Sequence, residues 1–495
     1  MTLLKLKIPK DDLTGRQSLA NRSLTCILLS YKMGKEMTLR QVITSLSIIG
    51  TLIIIGCSQV GLPTARLPLI ASDGSGGAII ANDQLKGGEW KLYVQRIDPK
   101  GNPLWSVPLG SGQKLGMVAA DSGSVIILWS GKASKGQAKS ISYVTKVDPE
   151  GNVLWQRGVS EPEQIISDGS GGAIIGSHDS IVKIDSKGNF PWGKEGISVP
   201  IKKAYGRPRT TNDGLGGAII VSLTAKEGIW AQRVSSNGST LWSQNGVEVR
   251  TKPEEYYSFE GVGVVGDGSG GAIVIFCKVP MSVHNGKLPN GEIPIGGVYA
   301  QRISAKGDVL WGKEGIPVAL KRGGINIYHS VKVVSDSSGG AIVAWKEFYG
   351  MGSSVRVQRI DAEGNILWKE NGLPISSGGR NPHFSMVSDD SGGIIIATWW
   401  VVIEHRNEVI KEIRVQKIDA IGERRWIYRE MLTLTGAEGD SYIFAPVISK
   451  DGQEGVLVAW GIGSSIYSPP KRLYIQRIDA RGNRLWGEKG IRLNP

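Results

Sequence analysis

Residues 334–368 read VSDSSGGAIVAWKEFYGMGSSVRVQRIDAEGNILW, and they contain two successive hairpin signals. The cluster DSSGG at residues 336–340 supplies residues that tolerate positive φ between two apolar, β-branched runs. Gly364 and Asn365 do the same between the next two runs. The stretch therefore predicts four antiparallel strands, joined by two short turns and one longer connection.

This unit recurs along the chain. The first turn signal begins at eight aspartates, and the second ends at eight tryptophans, each four residues after a glycine. The aspartates are Asp73, Asp121, Asp168, Asp213, Asp267, Asp336, Asp390 and Asp451, and the tryptophans, which we interpret as structural docking residues, are Trp105, Trp155, Trp192, Trp242, Trp311, Trp368, Trp426 and Trp486. From Asp73 to Asp451 there are 378 residues over seven steps, a mean period of 54, which is near the length of a four-stranded propeller blade.

Radial repetition is the arrangement that best fits this period. A twisted four-stranded sheet has two faces to cover, and identical neighbours in a ring cover both. The second strand of each unit is apolar at consecutive positions, which is typical of a strand buried on both faces. We therefore predict an all-β fold, an eight-bladed β-propeller of four-stranded antiparallel blades, over residues 66–495.

The segment RIDPKGNPLW at residues 96–105 resembles the tryptophan-docking motif of the quinoprotein-like propellers, whose members carry PQQ-like repeats. That motif also has an aspartate before the glycine, although here the spacing between the two is one residue shorter. The resemblance implies an eight-bladed propeller. The family includes quinone-dependent alcohol dehydrogenases and a non-enzymatic bacterial outer-membrane lipoprotein, so the resemblance implies architecture more than activity.

The N-terminal region reads as an export signal. Met37 and Arg40 precede an apolar run over residues 42–55, and the four residues that end at Cys57 resemble a bacterial lipobox, in which the cysteine is acylated. The run is shorter than the ~20 residues that span a bilayer. We predict an extension upstream of the true start over residues 1–36, a lipoprotein signal peptide over 37–56, lipidation of Cys57 and a tether over 57–65.

This assignment places the protein at the cell membrane, lipid-anchored on the extracytoplasmic side. Eight basic and three acidic residues precede Cys57; without them the chain retains 50 basic and 42 acidic residues, a net charge of +8. Export disfavours nucleic acid as a partner. Of the chain's three cysteines only Cys277 would remain unmodified, so we expect no disulfide and a buried inert thiol. We also expect a monomer.

The segments between the second and third strands, and those between units, vary in length and are expected at the end of the propeller opposite the short turns. We call this end the loop face. The candidate ligand-binding residues there are Tyr256, Tyr257, Phe259, His284, His329, His383, Phe384, Trp400 and His405. Because the histidines come from different units without paired spacing, we predict no metal site.

Each third strand also carries a cation, and the set is Arg96, Lys146, Lys183, Arg233, Arg302, Arg359, Lys417 and Arg477. These cations either line a channel that attracts anions, or they pair with carboxylates such as the turn aspartates of their own or the next unit or simply point outward. We favour pairing or an outward orientation over the channel.

The sequence favours a non-enzymatic binding or scaffold module that holds a protein or a glycan through the loop face, without a cofactor. The alternative is a propeller enzyme, either a quinone-dependent dehydrogenase or a glycan hydrolase. A quinoprotein commonly uses a disulfide that the exported chain could not form, and a hydrolase needs converging carboxylates.

Overall fold

The computed structural model describes residues 67–131, 141–177, 180–201, 208–224, 228–251, 257–280, 287–322, 331–349, 352–403, 409–426, 442–464 and 470–493. Ala65–Pro495 forms one compact unit. The predicted upstream extension, signal peptide, tether and Cys57 lie outside the described residues.

The described chain is built almost entirely of β-strands. One sheet contains, in spatial order, β1 (Leu69–Ser72), β2 (Ala78–Lys86), β3 (Glu89–Ile97), β4 (Pro103–Ala119), β5 (Val125–Gly131), β6 (Ser142–Val147) and β7 (Val153–Val159). A single 3-10 turn, Asp121–Gly123, interrupts it.

Three four-stranded sheets follow. The first contains β8 (Gln164–Ser167), β9 (Ala173–Gly176), β10 (Ser180–Ile184) and β11 (Ile197–Ser198). The second contains β12 (Arg209–Asn212), β13 (Ala218–Thr224), β14 (Gly228–Val234) and β15 (Val247–Arg250). The third contains β16 (Tyr257–Gly266), β17 (Ala272–Pro280), β18 (Ile295–Ile303) and β19 (Ile316–Arg322).

Two further sheets complete the description. One contains β20 (Val331–Ser335), β21 (Ala341–Tyr349), β22 (Gly352–Ile360), β23 (Leu373–Ser388), β24 (Ile394–Ile403) and β25 (Val409–Ile418). The other contains β26 (Tyr442–Ile443), β27 (Val447–Lys450), β28 (Val456–Gly463), β29 (Arg472–Ile478) and β30 (Ile491–Leu493), where both β26 and β27 pair with β28.

Antiparallel pairing between consecutive strands gives the predicted unit. Ser335 pairs with Ala341 across the first turn, and Ala341 pairs in turn with Ile360. The predicted all-β fold of four-stranded antiparallel units is confirmed. We number the units by the sequence repeats that they contain, and the blade count of eight stays a prediction of the repeat.

Two strands are shared between neighbouring units, which explains the two larger sheets. The first half of β4 pairs with β3 and its second half with β5. In the same way, β23 is the outer strand of unit six and then the inner strand of unit seven.

Two of the predicted turn positions were wrong by one residue. In unit seven Asp389 starts the turn, because its Oδ1 accepts hydrogen bonds from the backbone N–H groups of Ser391 and Gly393; Asp390 follows it with a φ of 61°. In unit two, the backbone N–H of Ala120 donates across the turn to Ser124 O. Asp121 is therefore one position later than the other turn aspartates.

The core lies between consecutive units rather than within one. Ile342 and Val357 of unit six pack with Phe384 and Ile396 of unit seven. The last and first units join in the same manner, through a cluster that includes Leu457 and Ile80. Within the described residues the ring of units therefore closes by side-chain packing. No helix in this part of the chain is long and apolar enough to cross a membrane.

Candidate functional site

The tryptophans lie at the joints between units. Trp105 Nε1 donates a hydrogen bond of 2.8 Å to Pro149 O of the next unit. Corresponding bonds reach the next unit from Trp155, Trp192, Trp242, Trp368, Trp426 and Trp486. The bond from Trp486 Nε1 reaches Pro99 O of unit one. Seven equivalent joints thus run around the ring and return to its start.

A glycine of the next unit lies against Trp311, and the same contact is found at Trp105, Trp155, Trp192, Trp242, Trp368 and Trp486. A Cβ on Gly364 would come within 3.0 Å of Trp311 Nε1, and Gly364 has a φ of 93°. Glycine is required here both by the left-handed backbone and by the close indole. The spacing of glycine and tryptophan in the sequence therefore combines residues from two neighbouring units.

The third-strand cations pair with the turn aspartates of their own units, as favoured from the sequence. Arg359 Nη2 lies 3.0 Å from Asp336 Oδ2, and this carboxylate is fully buried. The other pairs are Arg96–Asp73, Lys146–Asp121, Lys183–Asp168, Arg233–Asp213, Arg302–Asp267, Lys417–Asp389 and Arg477–Asp451. These cations serve the scaffold, and the alternative of an anion-attracting ring does not apply to them.

The turn carboxylates are held as acceptors. Burial raises the pKa of Asp73, but hydrogen bonds from Ser75, Arg96 and Gly77 outweigh it and leave that pKa below its ordinary value. Asp267 shows the same balance, with Ser269, Arg302 and Gly271 as donors. A carboxylate stabilised in its charged form is a poor general acid at neutral pH.

A buried glutamine completes the joint and was missed from the sequence. Gln358 Oε1 accepts hydrogen bonds of 3.0 Å from the backbone N–H groups of both Arg359 and Trp368. Its Nε2 donates to Lys369 O at 2.7 Å. The same pattern occurs at Gln232, Gln301 and Gln476. Its signal is visible in the sequence, where glutamine precedes the third-strand cation.

At the loop face, two predicted ligand-binding aromatics belong to the core. Phe259 is 7% exposed and meets Phe276 edge to face, with ring centroids 5.2 Å apart. Phe384 is 6% exposed and packs in the cluster between units six and seven. The prediction that these rings are open to a ligand was wrong, because β16 and β23 extend further toward the loop face than the turn signals indicated.

Tyr257 and His383 remain partly open. The Tyr257 hydroxyl accepts a hydrogen bond from Ile295 N at 3.2 Å, and Lys278 Nζ lies 4.2 Å from the centre of its ring. Trp400 lies in β24 opposite Glu412, and its side chain lies outside the described part. Tyr256, His284, His329 and His405 also lie outside the described residues.

The structure brings His383 together with residues that were not predicted. His383 pairs across the sheet with Trp399, and the ring centroids are 5.5 Å apart. Lys332 Nζ lies 5.7 Å from the centre of the adjacent Phe384 ring. The inner strands β20 and β23 thus place a lysine of unit six against Phe384 of unit seven. The pair formed by His383 and Trp399 lies on the other face of the same sheet, toward unit eight.

Positive charge is concentrated at this point. Burial, then the charges of Lys346 and Lys332, lowers the pKa of His383 to about 4. Burial and the charge of Lys332 lower the pKa of Lys346 to about 8. Lys332 is exposed to water, although the protein packed around its ammonium group lowers the pKa of that group by partial loss of solvation. Burial is thus the larger cause of these shifts, and repulsion between the positive groups is the smaller one.

A concavity lies at the outer side of units five and six. This groove of about 540 Å³ runs along β19 and is lined by Ile295, Pro317, Leu320 and Ile366 among others. It lies on outer strands and does not include the His383 cluster.

The described residues contain no group of three or more His, Cys, Asp or Glu side chains that could hold a metal ion. Cys277 is fully buried in β17. Burial, followed by the nearby charge of Glu260, raises the pKa of its thiol. In this environment the thiolate that would react or ligate is disfavoured.

The sheets and joints define the described chain as a β-propeller. No family model matches the chain, and no curated protein does. Among solved structures, puromycin hydrolase is 13% identical, with a TM-score of 0.37 over 78% of this chain and 55% of that one. The β-propeller domain of the Trilobed protease from Pyrococcus furiosus is 12% identical, with a TM-score of 0.36 over 74% of this chain and 100% of that one.

Prolyl oligopeptidase B from Galerina marginata is 8% identical, with a TM-score of 0.41 over 81% of this chain and 56% of that one. The chain therefore spans about half the length of puromycin hydrolase and of prolyl oligopeptidase B. At these levels of similarity no activity is carried over to this chain.

Proposed function

We propose that this chain is a lipid-anchored, extracytoplasmic β-propeller, with the quinoprotein-like repeat as its architecture, that binds a protein or glycan ligand through its loop face without catalysing a reaction. It would act as a monomer, without a cofactor and without contact to nucleic acid. The membrane would be reached through the acyl group on Cys57.

One observation carries this proposal. The repeated charged and aromatic residues are engaged in joints between units, as Arg359 and Trp368 show, so the regular part of the sequence serves the scaffold. The side chains that differ between units, such as His383 and Lys332, lie at the loop face. Variation at one end of a rigid scaffold is typical of a binding surface.

The same observation disfavours the enzyme alternative. The regularly placed carboxylates, Asp336 among them, accept hydrogen bonds from two backbone N–H groups and from a cation. Such groups are held in position as acceptors and are not free to exchange protons with a substrate.

The anchor is tested by detergent-phase partitioning of the full-length protein expressed in a bacterial host. We expect the wild type in the detergent phase and Cys57→Ser in the aqueous phase. A Cys277→Ser variant is the matched control and should partition as the wild type does. Equal partitioning of the wild type and Cys57→Ser would refute the anchor.

The binding role is tested on a glycan and peptide array with the detergent-solubilised protein. A specific hit that is lost when loop-face residues are changed would support the proposal. Quinone-dependent dye reduction by the purified protein would instead establish the enzyme alternative.

A further inference from the structure

A groove at the loop face lies between units one and two, beside the short connection from β2 to β3. Its volume is about 390 Å³, which is within the range of small-molecule sites. Glu89 and Trp90 at the start of β3 line one side, and Ser130 and Gly131 at the end of β5 line the other. Residues 111–113 of β4 form the floor between them. The groove therefore spans the passage from one unit to the next.

The groove opens where β4 changes partners. Ser111 of β4 pairs with Lys91 of β3, and the next residue, Gly112, pairs with Gly131 of β5. At the level of Trp90, which precedes Lys91, β4 has therefore left β3 and follows β5. The space that separates β3 from β5 at this point is the groove.

A buried ion pair fixes the floor of the groove. Lys114 Nζ lies 2.7 Å from Asp83 Oδ2, and the two side chains are 6% and 3% exposed. The backbone N–H of Lys114 also donates to Asp83 Oδ1 at 3.2 Å. Because breaking a buried pair of this kind is costly, β4 is held against β2 immediately after Gln113. The groove is thus preformed, which reduces the free energy needed to order it around a ligand.

Trp90 faces unit two but is not one of the docking tryptophans. It lies two residues before Leu92, which packs in one cluster with Trp129 of unit two, and residues two apart on a strand share a face. Trp90 is half-buried, and Leu85, directly opposite it on β2, is 57% exposed. Water thus reaches this end of the face. A half-buried indole in the wall of a groove can cover one face of a ligand ring.

The groove combines one aromatic ring with hydrogen-bonding groups. Glu89, Gln113 and Ser130 contribute a carboxylate, an amide and a hydroxyl group, and among the described lining residues Trp90 is the one large apolar side chain. A pyranose ring matches this combination, because its C–H face packs on an indole while its hydroxyl groups exchange hydrogen bonds with amides and carboxylates. An apolar peptide side chain would meet mainly polar groups and glycine. The carboxylate of Glu89 disfavours an anionic sugar.

We propose that the groove between units one and two is a subsite for a neutral pyranose residue of a glycan, with Trp90 as the ring on which the sugar stacks and Gln113 and Glu89 as its hydrogen-bonding partners. This inference rests on the proposed binding function. It places the ligand at one position on the loop face and narrows its class from protein or glycan to a neutral glycan.

Isothermal titration of the full-length protein, solubilised in a detergent without a sugar headgroup, tests the subsite. The probes are cellohexaose, chitohexaose and maltohexaose, three neutral oligosaccharides that differ in linkage or substituent. Polygalacturonate serves as their anionic counterpart. We expect at least one neutral probe to bind, and we expect no binding of polygalacturonate.

Trp90→Ala should weaken binding of that probe about ten-fold or more, because it removes the stacking surface, and Trp90→Phe should weaken it less. Gln113→Ala should weaken it about three- to ten-fold by the loss of a hydrogen bond. Gln113 is exposed, so this variant should unfold at the wild-type temperature and keeps the test valid if Trp90→Ala is unstable. Trp230→Ala, which removes a half-buried tryptophan of unit four, is the matched control and should bind with unchanged affinity.

A loss of affinity in any folded groove variant, with Trp230→Ala unchanged, supports the subsite. The inference is overturned if none of the neutral probes and no neutral glycan on the array binds, or if polygalacturonate alone binds. It is also overturned if every folded groove variant binds as the wild type does, or if Trp230→Ala loses affinity equally. A peptide, or a glycan held elsewhere on the loop face, would still support the proposed function, so the two failures are distinguishable.

Discussion

Arg359 Nη1 and Trp368 Nε1 donate hydrogen bonds to the same acceptor, the carbonyl oxygen of Ala420, each at 3.0 Å. The acceptor belongs to the next unit, while Nη2 of the same guanidinium donates a hydrogen bond to Asp336 Oδ2 in the arginine's own unit. The arrangement recurs at Pro149 and Ala305. Each such joint therefore couples a buried ion pair to a docked indole through one backbone atom.

Changing Trp368 to alanine should cost about 3–5 kcal/mol of unfolding free energy, since it empties the joint and removes one of two donors. Trp368→Phe should cost about 1–2 kcal/mol, because the oxygen of Ala420 keeps its bond from Arg359. Denaturant unfolding monitored by circular dichroism measures both. The exposed neighbour Leu367→Ala should change the midpoint little, and an equal loss there would contradict the docking role.

Asp336→Asn should destabilise the protein by about 3 kcal/mol, because it leaves the Arg359 guanidinium without its buried charge partner. Adding Arg359→Met should recover part of that loss, since the uncompensated charge is then removed as well. Asp390→Asn, in an exposed pair with Lys450, is the control and should cost less than about 1 kcal/mol. Strictly additive losses for the first two changes would show that the pair is not coupled.

Gly364→Ala should cost more than Gly312→Ala, although both glycines have positive φ, 93° and 72°. Each substitution strains the backbone by about 1 kcal/mol. Only Gly364 has an indole within 3.0 Å of the added carbon, whereas nothing lies within 4 Å at Gly312. The difference between the two losses of unfolding free energy measures how closely Gly364 contacts the neighbouring unit. Equal losses for the two variants would contradict that contact.

Stability should fall as the pH drops from about 6.5 toward 4. An unfolded histidine takes up a proton in this range, whereas folded His383 does so only near its pKa of about 4, so protonation favours the unfolded chain. The contribution of His383 to the free energy of unfolding is fully present above pH 6.5 and is lost as the pH falls through about 4. The loss is on the order of 3 kcal/mol. Comparing pH-dependent unfolding of the wild type and His383→Gln isolates it. If the unfolding free energies of the two proteins depended on pH in the same way, the effect of a buried neutral His383 would be refuted.

The Cys277 thiol should resist labelling by a thiol-reactive dye in the folded protein and react when the chain is unfolded in guanidinium chloride. Burial raises its pKa, so the reactive thiolate is scarce and inaccessible. Mass spectrometry of the labelled peptide distinguishes it from the other cysteines, and Cys277→Ser supplies the blank. Rapid labelling in the native state would contradict the buried position.

The fold could be predicted because its turns are chemically repetitive. Gly339 and Gly364 are favoured by the positive φ of their turns and Trp368 is required by its joint, so the same residue types recur in nearly all repeats. The residues of the loop face do not recur from one repeat to the next, so the repeat does not predict which of them are buried. Phe384 looked like a loop aromatic, yet β23 continues past it and buries it.

Lys346 was overlooked for a related reason. Its position corresponds to Cys277 in unit five and to Trp399 in unit seven, and this is visible only once the repeats are aligned by their turns. Its nearness to His383 depends on the packing of two units, which no single repeat encodes.

The joint between Trp486 and Pro99 is of the same kind as those between covalently consecutive units. The joint between two units therefore does not require that they be consecutive in the sequence. Joining residue 493 to residue 67 by a short linker, and opening the chain at another inter-unit connection, should yield a circularly permuted protein with the same set of contacts.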